Sequence, residues 1–238
     1  MIERIDSALA VLRAAADLPP AAFSSSFGAE DMVVLDLIQR HALPISIFTL
    51  DTGRLPEETY ALMQQVEERY GRCVTTFFPD AQGVQRLVAA NGINGFYESV
   101  DKRKACCAVR KLEPLGRALA GKRAWVTGLR AQQSVTRAEL ALRETDAERG
   151  LEKFNPLADW SEADVWAYIR ANDVPYNALH DRFYPSIGCA PCTRAITPGE
   201  DLRAGRWWWE QPENKECGLH IQDGKVSRLK TIAVKEIA

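Results

Sequence analysis

Four short apolar runs, Ala21 to Phe27, Ile45 to Leu50, Val74 to Phe78 and Ala124 to Thr127, alternate with stretches of helical periodicity. The runs are too short for helices, and the stretches between them are long enough for them. Strands alternating with helices build a parallel or mostly parallel sheet with helices on both faces. In such a sheet the loops at the carboxyl ends of the strands form the working edge. The loops after residues 27, 50 and 127 fall on that edge, and each contains glycine.

The helical stretches carry their own punctuation. Residues 1–19 place Ile5, Leu9 and Leu12 on one face and end at Pro19-Pro20. Val34, Leu37 and Ile38 face inward after the first loop. Pro56-Glu57-Glu58 opens a helix, since proline suits the first turn and acids suit the positive end of the dipole. Ala81 to Ala90 reads as a helix. Val100 to Leu119 reads as helical and carries Cys106-Cys107. Ser161 caps a further helix, with Asp164 near its first turn and Val165, Trp166 and Ile169 facing inward. From about residue 193 the text becomes irregular, with Thr-Pro-Gly-Glu, Ala-Gly-Arg and Gln-Pro-Glu-Asn. The predicted division is an α/β domain over residues 1–192 and a flexible C-terminal tail, residues 193–238, carrying Cys217.

The chain has 238 residues, 46% of them hydrophobic, enough for a substantial core. Its formal charge of −2 argues against bulk electrostatic binding of nucleic acid. Local charge differs: Lys102, Arg103, Lys104, Arg110 and Lys111 surround the paired cysteines, and Arg194, Arg203 and Arg206 follow the later ones. That distribution suits a small anionic substrate. The N-terminus lacks the basic start and apolar run of a secretory signal, and no stretch reaches the roughly 18 apolar residues of a membrane span. A cytoplasmic location without membrane contact is therefore expected. There, cysteine pairs serve more often as metal ligands or catalysts than as structural disulfides.

Six cysteines divide into an adjacent pair, Cys106-Cys107, a Cys-x-x-Cys pair, Cys189 and Cys192, and two single ones, Cys73 and Cys217. Adjacent cysteines do not readily bridge to each other. Structural zinc usually takes pairs two to four residues apart, so the adjacent pair favours thiolate ligation of an iron–sulfur cluster. Two inert buried thiols are the alternative for Cys106-Cys107. Cys217, in Lys-Glu-Cys-Gly-Leu-His, is left as a free thiol near Lys215 and His220 that reads as a nucleophile, with a surface cysteine as the alternative. Cys73 reads as a small core residue.

Three loops carry anion-binding residue types. Ser24, Ser25 and Ser26 lie in a strand-to-helix turn with backbone NH groups, though without the Gly-Lys-Ser/Thr ending of a Walker loop. Asp51, Thr52, Gly53 and Arg54 follow a strand directly. Gly128, Arg130 and Arg137 lie in the third loop. Each alone is compatible with an ordinary turn; three at one sheet edge suggest a nucleotide site. Trp207-Trp208-Trp209 reads as packing or tail docking, His41 as structural, and His180 as either structural or functional.

Ser-Ser-Phe-Gly-Ala-Glu-Asp, Leu-Asp-Thr-Gly-Arg, the Cys-Cys and Cys-x-x-Cys pairs and Glu-Cys-Gly-Leu-His together resemble the assimilatory sulfonucleotide reductases, from about Phe23 to His220. The resemblance implies an adenine nucleotide α-hydrolase-like, Rossmann-like fold. Because both cysteine pairs are present, the chain is most similar to the adenylyl-sulfate branch, whose pairs ligate a 4Fe-4S cluster. Cys106, Cys107, Cys189 and Cys192 are then the cluster ligands and Cys217 the catalytic nucleophile. Lys111 matches a lysine between cluster and substrate, Arg203 and Arg206 match arginines on the phosphosulfate, and His220 matches the histidine of the terminal motif. The implied reaction is reduction of adenylyl sulfate to sulfite and AMP in assimilatory sulfate reduction, for cysteine biosynthesis. It proceeds through an S-sulfocysteine on Cys217 that thioredoxin, or a glutaredoxin-like reductant, resolves. Activity on 3′-phosphoadenylyl sulfate, alone or together with adenylyl sulfate, stays open. An ATP pyrophosphatase of the tRNA-thiolating type is a further alternative, although its Ser-Gly-Gly-x-Asp-Ser loop is missing. The oligomeric state, including a homo-oligomer, is not set by the sequence.

Overall fold

The computed structural model describes residues 1–133 and 140–211. Six strands form one sheet: β1 (Ala21–Ser25), β2 (Ile45–Leu50), β3 (Val74–Phe77), β4 (Ala124–Val126), β5 (Arg143–Asp146) and β6 (Leu151–Phe154). Their order is β3-β2-β1-β4-β6-β5. All neighbours are parallel except β5, which lies antiparallel on β6 at the edge. The chain runs outward from β1 through β2 to β3, then returns to β4 on the other side of β1. The sheet therefore changes direction between β1 and β4, where open α/β sheets bind ligands beyond the strand ends.

Side chains alternate across the sheet as the two-residue period requires. Ala21, Phe23, Ile45, Ile47, Ala124 and Val126 join the larger core. There they meet α1 (Ile2–Ala16), α2 (Ala29–Arg40), α3 (Glu57–Tyr70) and α7 (Glu162–Ala171). Ala22, Phe48 and Trp125 point the other way and pack on Leu115, Ala118 and Leu119 of α6 (Glu113–Leu119). Helices thus cover both faces, as the alternating pattern predicts. Helix α4 spans Ala81–Asn91 and begins where Asp80 accepts the Gly83 NH at 2.6 Å. Ser161 and Asp164 form a reciprocal capping box on α7, with bonds of 2.9 and 3.1 Å.

The stretch from Val100 to Leu119 is helical as expected, but not uniform: α5 (Val100–Cys107) passes into a π-helical turn, Ala108–Leu112, before α6. Pro114 supplies the reason. It has no NH to donate to the Arg110 carbonyl, and its ring would press on that carbonyl in a regular helix. The wider turn re-aims Arg110 and Lys111. The described chain stays on the body beyond residue 193. Thr193 bridges to Arg206, the Arg194 NH donates to the Gly205 carbonyl at 3.0 Å, and Trp207 is buried. Residues 193–211 are packed on the α/β body, held by Trp207 and by a buried Arg103–Glu210 ion pair.

Candidate active site

A cavity of about 660 Å³ opens over the carboxyl ends of β1, β2 and β4, a size suited to a nucleotide-scale ligand. Its wall takes Ser24, Ser25, Ser26, Glu30 and Asp31 from the first loop and helix start. Thr52 comes from the second loop, and Gly128 and Arg130 from the third. The three loops therefore converge on one site. Lys111, Arg203 and Arg206 close another side.

The first loop is organised by its own acids. The Asp31 carboxylate accepts the Ser26 NH at 2.6 Å and the Ser26 hydroxyl at 2.7 Å. Ser25 Oγ accepts the Phe27 NH at 3.2 Å, and Ser24 Oγ accepts the Trp125 indole NH at 2.8 Å. Burial pushes the Asp31 carboxyl up to about 6 against its Ser26 bonds, with Glu30 adding to the rise. The positive end of α2 is thus already faced by the acids Glu30 and Asp31. Gly128 lies directly against Asp31: a Cβ there would fall on the carboxylate. Arg130 pairs with Glu30 at 2.7 Å, which ties the third loop to the same helix turn.

The second loop points two ways. Asp51 is buried and accepts the Gly53 NH at 2.7 Å and the Tyr60 hydroxyl at 3.0 Å. Gly53 takes a φ of 69°, which a side chain would strain. Neither residue lines the large cavity; both hold Thr52 in place. Arg54 turns away, stacking 4.9 Å over Phe96 and donating to Asn94 and the Ile93 carbonyl. It lies on a second, smaller pocket rather than beside the nucleotide loops.

That second pocket gathers Cys106, Cys107, Cys189 and Cys192 with Arg54, Arg103, Arg110, Lys111, Arg206 and Trp207. None of the four thiols is in a disulfide, and all are half-buried. Burial pushes the Cys192 thiol up to about 12, and the neighbouring Cys189 and Cys107 add to the rise. Burial also raises Cys106, while Arg110 pulls it back. Thr52 Oγ1 lies 3.2 Å from Cys189 Sγ, and its carbonyl accepts Arg110 at 2.6 Å. As placed, no group of three or more His, Cys, Asp or Glu among the described residues could hold a metal ion. A single tetrahedral ion needs its sulfurs within about 4 Å of one another, given metal–sulfur bonds of about 2.3 Å. A polynuclear centre takes each thiolate at a separate corner. Four thiols around one pocket, ringed by cations that offset thiolate charge, suit the polynuclear case.

The two pockets share a wall. Lys111, Arg206 and Trp207 line both. Arg206 is 8% exposed, lies 4.8 Å from the Trp207 ring and donates to the Ile187 carbonyl at 3.2 Å. Cations therefore lie between the nucleotide-sized cavity and the four-cysteine pocket.

A family model described as the phosphoadenosine phosphosulfate reductase domain matches residues 20–195. The chain belongs to the phosphoadenosine phosphosulfate reductase family. Within it, the adenosine 5′-phosphosulfate reductase of Allochromatium vinosum is 64% identical over 207 residues, covering 87% of this chain and 81% of that protein. The reductase of the same name from Burkholderia cepacia is 58% identical over 220 residues, covering 92% and 87%. Among solved structures, the phosphoadenylyl-sulfate reductase of Candida auris in its phosphate complex superposes with a TM-score of 0.67 at 30% identity, over 79% of this chain and 90% of that one. FMN adenylyltransferase of Candida glabrata, at 15% identity and TM-score 0.56 over 90% and 73%, shares the fold alone. The fold is the adenine nucleotide α-hydrolase-like one expected, and the family is one of oxidoreductases.

His180, Trp166 and Arg170 line the cavity from the far side; sequence reasoning left His180 undecided, placed Trp166 only on an inward face and missed Arg170. His180 stacks edge-on against Trp166 at 5.2 Å, and burial holds it below its ordinary pKa. The signal was present only as a histidine near aromatic residues. Arg137, Cys217 and His220 lie outside the described residues. No helix among the described residues is long and apolar enough to cross a membrane.

Proposed function

We propose that this chain reduces adenylyl sulfate to sulfite and AMP, with Cys217 as the nucleophile and thioredoxin as the electron donor. The observation that carries the reading is the shared wall of Lys111, Arg206 and Trp207 between the nucleotide-sized cavity and the four-cysteine pocket. The names of the similar reductases from Allochromatium vinosum and Burkholderia cepacia support adenylyl sulfate as the substrate.

The Cys217 thiolate attacks the sulfur of adenylyl sulfate. The bond from sulfur to the bridging phosphate oxygen breaks, AMP leaves with that electron pair, and S-sulfocysteine forms. Lys111, Arg203 and Arg206 neutralise charge as it builds on the leaving phosphate, which is the usual source of large rate gains. A thioredoxin thiolate then attacks Cys217 Sγ. The sulfur–sulfur bond breaks, sulfite leaves with the electron pair, and a mixed disulfide remains. The second thioredoxin thiol displaces Cys217 and completes the two-electron transfer. This chemistry serves sulfate assimilation toward cysteine in the reducing cytoplasm.

Cys106, Cys107, Cys189 and Cys192 would hold a 4Fe-4S cluster. When bound, it supplies a fixed charge and a rigid anchor for the π-helical turn that carries Lys111, while the electrons come from thioredoxin. The ring of cations around the four-cysteine pocket favours this: neighbouring thiolates repel one another unless metal ions lie between them. Sulfite release from adenylyl sulfate and from 3′-phosphoadenylyl sulfate, each with thioredoxin, tests the reading. Preferential turnover of adenylyl sulfate supports it; absence of sulfite from both refutes it.

A further inference from the structure

The first cysteine pair and the stretch that carries Arg203 and Arg206 are joined through one buried side chain. The side chains of Arg103, on α5, and Glu210 are 1% and 3% exposed. Arg103 Nε donates to Glu210 Oε1 at 2.9 Å and Nη2 donates to Oε2 at 2.7 Å. This is the bidentate fork that arginine makes and lysine does not. The same Arg103 side chain hydrogen-bonds Cys107, one helical turn further along α5. Its guanidinium also lies 4.6 Å from the Trp207 ring, and Arg206 lies 4.8 Å from that ring.

Trp207 is tied directly to the second cysteine pair and, through Arg103, to the first. Its NH donates to the Cys192 carbonyl at 3.1 Å, and its ring meets the arginine that contacts Cys107. Its backbone takes a φ of 41°, in the left-handed region that a tryptophan adopts only when its surroundings fix it. A buried ion pair is not needed for stability, since apolar side chains of similar volume do as well. A pair that also reaches a cysteine sulfur and an arginine-bearing stretch is better explained by placement.

We propose that Arg103 is a positioning residue that sets the register of the Arg203–Arg206 stretch against the first cysteine pair. This rests on the reading of those cysteines as cluster ligands. Loss of the fork shifts Trp207, and with it the guanidinium of Arg206 at the wall of the cavity. Loss of the Cys107 contact changes the electronic surroundings of that sulfur.

The test compares Arg103→Lys, and the double variant Arg103→Met with Glu210→Met, with the wild-type full-length protein. Thermal unfolding, iron and acid-labile sulfide content, visible absorption, and kcat and KM for adenylyl sulfate are measured. Both variants are expected to fold, with KM raised at least about fivefold and the iron-dependent absorption shifted or weakened. Folded variants with a wild-type KM overturn the assignment. So does a raised KM with unchanged absorption, which makes the pair a packing element, and so does failure of both variants to fold. Wild-type protein free of iron overturns the underlying cluster reading instead, whatever the variants do.

Discussion

Gly188→Ala isolates the contribution of Arg206. Gly188 stands just before Cys189, and its φ lies outside the left-handed region, so the backbone accepts alanine. The space does not: a Cβ there would fall on Nη1, Nη2 and Cζ of Arg206. The guanidinium has to move, and at 8% exposure it has little room. It gives up its bond to the Ile187 carbonyl at 3.2 Å and its place 4.8 Å from the Trp207 ring. A charged hydrogen bond is worth about 1.5–3 kcal/mol and a desolvated cation–π contact up to about 2 kcal/mol. Partial relocation leaves a net cost of about 2–4 kcal/mol in stability. If Arg206 meets the leaving phosphate, losing that one contact costs about 1.5–3 kcal/mol, or roughly 10- to 150-fold in kcat/KM. Steady-state sulfite release against circular dichroism of the fold measures both. Gly116→Ala, whose Cβ meets nothing within 4 Å in α6, is the control. It should gain about 0.5–1 kcal/mol with activity unchanged. A folded Gly188→Ala protein within twofold of wild type in kcat/KM would refute the role given to Arg206.

Gly128→Ala drives a methyl group into the Asp31 carboxylate and should raise KM for the nucleotide roughly tenfold or more, read by initial rates; an unchanged KM separates these loops from binding. Ser161→Ala removes the capping box of α7 and should lower Tm by about 2–4 °C for a loss of about 1 kcal/mol, with kcat/KM untouched. Asp31 binds its proton more tightly in the folded chain, near 6 against 3.8. Its contribution to stability is therefore complete below about pH 4 and is lost as pH rises through 6, amounting to about 3 kcal/mol by pH 7. Urea unfolding of Asp31→Asn should lack that component between pH 4 and pH 7, and parallel curves for variant and wild type would count against it.

Strand positions and the three converging loops were legible because buried parallel strands are continuous apolar runs and their loops must emerge at one edge. The β5–β6 hairpin was not legible. Arg143-Glu-Thr-Asp carries no apolar pattern, and in β6 the buried Lys153 breaks the run by pairing with Glu144 and lying over Trp125. The π-helical turn hinges on a single residue, Pro114, which reads equally well as the start of a new helix. Charge type at a sheet edge does not reveal direction, so Arg54 looked like a phosphate ligand although it turns toward Phe96 and the cysteines. The irregular text after residue 193 looked like a tail because its anchors are pairings with distant residues, such as Arg103 with Glu210. Spacing made the four cysteines a set; that they share a wall with the nucleotide cavity through Lys111 and Arg206 depends on tertiary packing.

The measurement closest to the central claim is mass spectrometry of the protein incubated with adenylyl sulfate before thioredoxin is added. Wild type should gain one sulfonate on the peptide containing Cys217. That mass should vanish, with stoichiometric sulfite, when reduced thioredoxin is supplied. Cys217→Ser should gain nothing and release no sulfite. A sulfonate on any other cysteine, or sulfite release by Cys217→Ser, would contradict the account.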